Sequence, residues 1–130
     1  MTNKDKLKVI IAGGRDFTDV QFGLNEFLIF SNEITQEIGL VEPFARVISG
    51  GARGADLVGE RIASMCHLPV DRFIPNWDTL GKRAGFVRNA EMADHADALL
   101  AFWDNKSKGT AHMIKIARQK GLIVKVVMYG

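Results

Sequence analysis

Residues 44–66 read FARVISGGARGADLVGERIASMC. Phe44–Ser49 is a short apolar run rich in β-branched residues, the pattern of a strand buried on both faces. It runs into a glycine-rich turn, and from Asp56 to Cys66 the apolar residues Leu57, Val58, Ile62 and Met65 recur at helical spacing. A strand that turns through glycines into a helix is one half of a β-α-β unit. The same alternation extends in both directions. Further strands are expected at residues 7–12, 70–74, 98–103 and 122–128, and further helices at about 18–38, 79–94 and 110–120. Val20, Leu24, Phe27, Leu28, Ile34 and Ile38 form the expected inner stripe of the first helix. Phe86, Val87, Ala90 and Ala93 form that of the third, and Met113, Ile114 and Ala117 that of the last, which Gly121 ends. Crossover helices must cover both faces of such a sheet. The expectation is an α/β three-layer sandwich around a mostly parallel five-stranded sheet.

The 130 residues suit one domain, 1–130, without linker, repeat or low-complexity tract. Hydrophobic residues at 47% and charged ones at 25% describe a chain that buries a core, which excludes disorder as its main state. No apolar run approaches the roughly 18 residues of a membrane span, and the first eight residues hold no apolar segment of a secretory signal. The single cysteine, Cys66, cannot form an internal disulfide, so a reducing, cytoplasmic location is expected. A formal net charge of +2 excludes a strongly cationic duplex binder yet permits a local phosphate-holding patch.

In open α/β sheets, ligands bind beyond the carboxyl ends of the strands, where strand order reverses. Three of the loops leaving strands share a character: Gly13-Gly14-Arg15-Asp16-Phe17, then Ser49 through Gly50, Gly51, Arg53 and Gly54 to Asp56, then Asp104 through Ser107 to Gly109-Thr110. Glycine admits a ligand close to backbone N–H groups, and a helix starting there favours an anion. A phosphate-bearing ligand follows; the competing reading is that these glycines only make tight turns. The Gly-Lys-Ser/Thr ending of a P-loop is missing. Ser49, Gly51 and Gly54 imitate a dinucleotide fingerprint with its first glycine replaced, and no acid ends the next strand, so an ordinary NAD enzyme is not expected. On the third helix Gly81, Gly85, Arg88 and Met92 share a stripe, with Asn89 beside it. Arg88 reads either as a bidentate phosphate clamp or as a surface partner of Glu91 or Asp94. Trp77, Trp103 and Phe17 read as core residues or as surfaces for a base, Phe17 with the added interest of a glycine loop. His67, His95 and His112 lack metal-ligand spacing, so no metal and no required cofactor is expected.

Taken together, Gly13 to Phe17, Ser49 to Asp56, Gly85-Phe86-Val87-Arg88-Asn89 with Met92, Ala101 to Asp104 and Ser107 to Thr110 resemble the YspA-like family of the SLOG superfamily, named for the Smf/DprA and Lonely Guy (LOG) proteins. The similarity runs from about residue 8 to 127. It implies a Rossmann-like fold and a nucleotide or nucleotide-derived ligand at these loops. The LOG branch looks like a set of phosphoribohydrolases, which use an arginine that Arg88 matches and a glutamate where this chain has Ala111, His112 and Met113. Were the chain such a nucleotide N-glycosidase, Arg88 with Asp56 or Glu91 would be its catalytic residues, since the reaction needs a carboxylate near oxocarbenium charge. The DprA branch, similar through residues 49–56, implies single-stranded DNA as a partner; the scattered lysines do not mark a strand-binding groove.

The leading expectation is a binder of a nucleotide-like small molecule, acting in sensing or sequestration. Its phosphate would lie on the amides of Gly50 to Gly54 and Gly109-Thr110. Arg53 and Arg88 would neutralise it, and Gly13, Gly14, Arg15, Asp16, Ser49, Asn89 and Ser107 would complete the site. Asp56 is expected to cap the second helix and hold an arginine, or to bond a ribose hydroxyl. A homodimer or higher homo-oligomer is expected because relatives commonly pair and because Phe22, Phe27, Phe30 and Ile34 exceed what one sheet face needs.

Overall fold

A computed structural model describes residues 6–130. Along the chain run β1 (Leu7–Gly13), α1 (Val20–Ile38), β2 (Phe44–Ser49), α2 (Ala55–Met65), β3 (Val70–Arg72), α3 (Trp77–Leu80), a 3-10 turn (Gly81–Arg83), α4 (Ala84–Asp94), β4 (Ala98–Trp103), α5 (Lys108–Gln119) and β5 (Ile123–Met128). The strands form one five-stranded sheet in the order β3-β2-β1-β4-β5, and every neighbouring pair is parallel. The architecture is the expected Rossmann-like three-layer sandwich.

Side chains alternate across the sheet, as the two-residue pleat requires. Val9 and Ile11 of β1 face α1 and α2, joining Phe27, Phe30, Ile34, Val58 and Ile62. Ile10 and Ala12 face α4 and α5, joining Met92, Ala93, Met113, Ile114 and Ala117. With both faces covered, β1 from Val9 onward and the whole of β4 are apolar without interruption, and only Lys8, near the open start of β1, is exposed. The chain steps from β1 to β2 to β3 in one direction and from β4 to β5 in the other. The reversal therefore lies between β1 and β4, whose carboxyl ends open a crevice.

Several expected helix faces are displaced. In α1, Gly23, Phe27, Phe30 and Ile34 are buried while Leu28 and Ile38 point outward. Gly23 sets this rotation: a Cβ there would stand 2.9 Å from Val58 Cγ1 of α2, so the two helices touch at a bare backbone. Phe27 and Phe30 both pack on Phe44. The aromatic surplus that suggested self-association is therefore core packing, and that ground for an oligomer is removed. In α2, Gly59 lies against Ile11, where an added Cβ would meet Ile11 Cβ at 2.7 Å; Val58, Ile62 and Ala63 turn inward, and Leu57 and Met65 outward.

The third expected helix is three pieces. Gly81, at φ 60°, ends α3, and the 3-10 turn restarts the chain into α4. Here the inner face was misjudged: Ala84, Asn89, Met92 and Ala93 are buried, whereas Phe86 and Val87 are exposed. Two alanines bring the helix close to the sheet, and the stripe of Gly85, Arg88 and Met92 consequently turns to the crevice. Only Val70–Arg72 of residues 70–74 is strand, a half-buried edge whose Asp71 pairs with Arg46 through two hydrogen bonds of 2.8 and 2.7 Å. Among the described residues no helix is long and apolar enough to cross a membrane.

Candidate functional site

The loops after β1, β2 and β4 meet at the crevice. A cleft of about 220 Å³ is lined by Arg15, Asp56, Arg88, Asn89, Gly109 and Thr110, among others. Toward Ile74 it continues into an opening of about 410 Å³ that shares Arg15, Trp77 and Arg88. Toward Asp104 it continues into a shallower one of about 600 Å³ that shares Arg15, Ser107 and Gly109. Arg15 borders all three, and Arg53 borders the outer two. The expected gathering of distant loops on one rim is thus present.

Inside the second loop, much of the donor capacity is already engaged. Ser49 is fully buried; its hydroxyl donates to Glu60 Oε2 (2.7 Å) and accepts from the Gly51 amide (3.0 Å). Arg72 grips the same Glu60 with two hydrogen bonds of 2.8 and 2.7 Å. Ser49 is a strut behind the loop rather than a ligand contact. The Ala52 amide donates to Asp56 Oδ2 (3.1 Å), and the Ala55 amide donates to Gly14 O (3.0 Å), which fastens the first loop to the start of α2. The seat expected along Gly50 to Gly54 therefore contracts: among the described residues the amides of Gly50, Arg53 and Gly54 are left without a partner, while those of Gly51 and Ala52 are engaged. Gly54 itself is the N-cap of α2, so Asp56 is not the cap; it reaches back to close the turn.

At the start of α5, Ser107 is the cap, its hydroxyl accepting from the Thr110 amide (3.3 Å) and pairing with the Thr110 hydroxyl (3.0 Å). Thr110 is consequently internal, and the open amides of this turn belong to Lys108 and Gly109, of which Gly109 lines the cleft. Asp104 orders the approach by accepting from the amides of Lys106 and Ser107, both at 2.8 Å; those amides hold its carboxyl below the usual range. The Trp103 indole N–H donates to Ser107 O (3.1 Å), so this tryptophan braces the loop. Phe17 is 3% exposed and stacks on Phe102 with ring centroids 4.3 Å apart, which makes it core.

The glycines divide into two kinds. A Cβ on Gly13 would approach Phe102 O to 2.2 Å, and one on Gly54, at φ 82°, would approach Gly14 O to 2.4 Å. On Gly14 it would strike the Tyr129 hydroxyl, which donates to Asp16 Oδ1. These positions are dictated by the protein's own packing, as the tight-turn reading held. Gly85 and Gly109 differ. A Cβ on Gly85 would make only ordinary contact with Trp77 at 3.7 Å, and one on Gly109 would meet nothing within 4 Å. Both lie in first turns of helices without positive φ, and both line the cleft.

Arg88 spans the gap between α4 and the second loop. Nη1 donates to Gly50 O (2.8 Å) and Nε to Asn89 Oδ1 (3.1 Å). It makes no pair with Glu91 or Asp94: Glu91 is exposed and lines none of the three openings, and Asp94 pairs with Lys120. Glu91 is thereby removed as a candidate acid. Asn89 is buried, and its Nδ2 donates to Gly109 O and to His112 Nδ1, each at 3.2 Å. It is a tie between α4 and α5, and His112 is a site neighbour that its spacing in the sequence did not disclose. Burial lowers the His112 pKa, which favours the neutral ring that accepts this bond.

Burial lowers the pKa of Arg88, opposed by the charge of Asp56. Asp56, 6% exposed, is pushed up to about 6, chiefly by burial; the Ala52 amide, Arg88 and Arg15 pull it back, and Glu60 adds to the rise. Between about pH 4 and 6 the folded protein thus holds a proton that the unfolded chain releases. Stability from this group falls as pH rises through that window, by about 3 kcal/mol in all. Thermal melts of wild type and Asp56→Asn from pH 4 to 7 test this. The wild type is expected to lose stability relative to the variant as pH rises, whereas parallel curves would place Asp56 in contact with water.

No family model matches the chain, nor does any solved structure. Over 90 residues it is 38% identical to the Gene 61 protein of Mycobacterium phage D29, an alignment that spans 65% of this chain and 70% of that protein.

Proposed function

The chain belongs to the family of the mycobacteriophage Gene 61 protein, and we propose that it binds a nucleotide or nucleotide-derived small molecule in the cleft between β1 and β4. One observation carries this reading: Gly85 and Gly109 both border that cleft, and nothing in the protein's own packing or backbone requires glycine at either place. Glycine in the middle of a helix costs roughly 0.5–1 kcal/mol relative to alanine, and in these first turns it still gives up backbone entropy that alanine would save. A bare backbone kept at that cost, beside Arg15 and Arg88 and the open amides of Arg53 and Gly109, suits a ligand that approaches the main chain closely and carries negative charge. The phosphate lies against Gly109 and Arg88, and Arg15 and Arg53 add positive charge along the rim.

Calorimetric titration with nucleoside mono- and diphosphates, cyclic nucleotides and ADP-ribose tests the proposal; absence of heat at millimolar concentration overturns it. Gly85→Ala and Gly109→Ala sharpen the test. Each is expected to leave the melting temperature unchanged or slightly raised while weakening nucleotide binding at least tenfold, a separation that a purely structural glycine would not produce.

A second reading rests on Asp56. A buried carboxyl with a pKa near 6, in the cleft with Arg88, has the character of an acid–base group. It supports N-glycosidic cleavage of a nucleoside monophosphate, with Asp56 in place of the glutamate that LOG proteins use. Chromatographic detection of free base, abolished in Asp56→Asn, distinguishes turnover from binding alone.

A further inference from the structure

Trp77 is 50% exposed, a large apolar surface left in water. Its backbone is nonetheless anchored. Asn76 caps α3, its Oδ1 accepting from the Thr79 amide (3.2 Å), the Leu80 amide donates to Asn76 O (2.9 Å), and the Gly81 amide closes onto Trp77 O. No residue of α3 is buried, so the turn is held by its caps rather than by packing its apolar side chains. The Trp77 ring lies over the bare backbone of Gly85, with Cη2 3.7 Å from the position of an added Cβ. It borders the two openings that Arg88 also borders. Next to it Phe86, 47% exposed, lines the same cleft and packs on His112 with ring centroids 4.4 Å apart.

We infer that Trp77 and Phe86 form a stacking wall for the base of a nucleotide whose phosphate is held at Arg88. The inference rests on the binding function proposed above and names the part of the ligand that the phosphate seat does not recognise. A flat ring laid on Trp77 removes apolar area of both partners from water, and every nucleobase offers such a face. Arg88 and Trp77 flank the same two openings, so one molecule with an anionic end and a planar end meets both. A phosphorylated sugar without a base meets only the first.

The test titrates the intact protein with AMP, GMP, CMP and UMP, and separately with ribose 5-phosphate, by calorimetry and tryptophan fluorescence. In the wild type the purine monophosphates are expected to bind roughly tenfold or more tightly than ribose 5-phosphate, quenching the Trp77 part of the emission, which Trp77→Phe lacks while Trp103 still emits. Trp77→Ala should abolish this advantage and Trp77→Phe keep most of it, with ribose 5-phosphate binding equally to all three proteins. Ribose 5-phosphate binding as tightly as the purine nucleotides, or a Trp77→Ala protein that keeps the preference, overturns the stacking wall and leaves the phosphate seat standing. Failure of every nucleotide and of ribose 5-phosphate to bind overturns both.

Discussion

Replacing Gly54 by alanine is expected to destabilise the protein by about 3 kcal/mol or more, lowering its melting temperature on the order of 10 °C. Two effects act together. Gly54 holds φ 82° and ψ −130°, a conformation that a Cβ makes costly in any residue but glycine. The added Cβ would also lie 2.4 Å from Gly14 O and 2.5 Å from the Arg15 backbone. Neither neighbour is the flexible end of a side chain. The Gly14 carbonyl accepts from both the Phe17 and Ala55 amides, so moving it opens the junction of the first loop with α2. Gly109→Ala, where the added atom meets nothing within 4 Å, is the matched control. A Gly54→Ala melt within a few degrees of wild type would show that the two loops are not locked together at this point.

Loss of the Arg88 side chain should have the largest effect on binding. In Arg88→Ala, nucleotide affinity is expected to fall by roughly thirtyfold or more, since hydrogen bonds to a charged partner are each worth about 1.5–3 kcal/mol. Arg88→Lys should fall in between, because an ammonium keeps the charge and loses the planar fork. The protein itself also responds: Gly50 O loses its donor, and Asp56 loses a neighbouring positive charge that holds its pKa down. The fall in stability with rising pH should therefore extend to higher pH in Arg88→Ala than in wild type, which melts across pH 5–8 will show. Unchanged affinity in a folded Arg88→Ala protein would move the phosphate away from the β1–β4 crevice.

Most of the fold was legible in the sequence. Val9–Ala12 of β1 and the whole of β4 announced themselves as uninterrupted apolar runs because a strand segment covered on both sides has no solvent-facing position for a polar residue. Three glycine-bearing loops in phase with those strands pointed to one rim, since consecutive crossovers in a parallel sheet deliver every strand's carboxyl end to the same edge. Arg88 and Gly109 were recognised there, as was Asp56, although its cap role was misassigned. What the sequence concealed was rotation and partnership. Phe86 and Val87 look like the inner face of α4 by hydropathy, yet Ala84 and Ala93 take that place because small residues let the helix approach the sheet.

Local pattern determined the layers, the sheet and the edge on which the glycine-bearing loops gather, because periodicity and turn chemistry act over a few residues and survive in the linear text. Tertiary structure alone decided which polar groups remain open at that edge. Ser49 is claimed by Glu60, the Ala55 amide by Gly14 and Asn89 by α5, each through residues distant in the chain or on another element. A donor's availability depends on its neighbours in space. Only the folded chain separates the glycines that its own backbone requires from the two that its packing leaves unexplained.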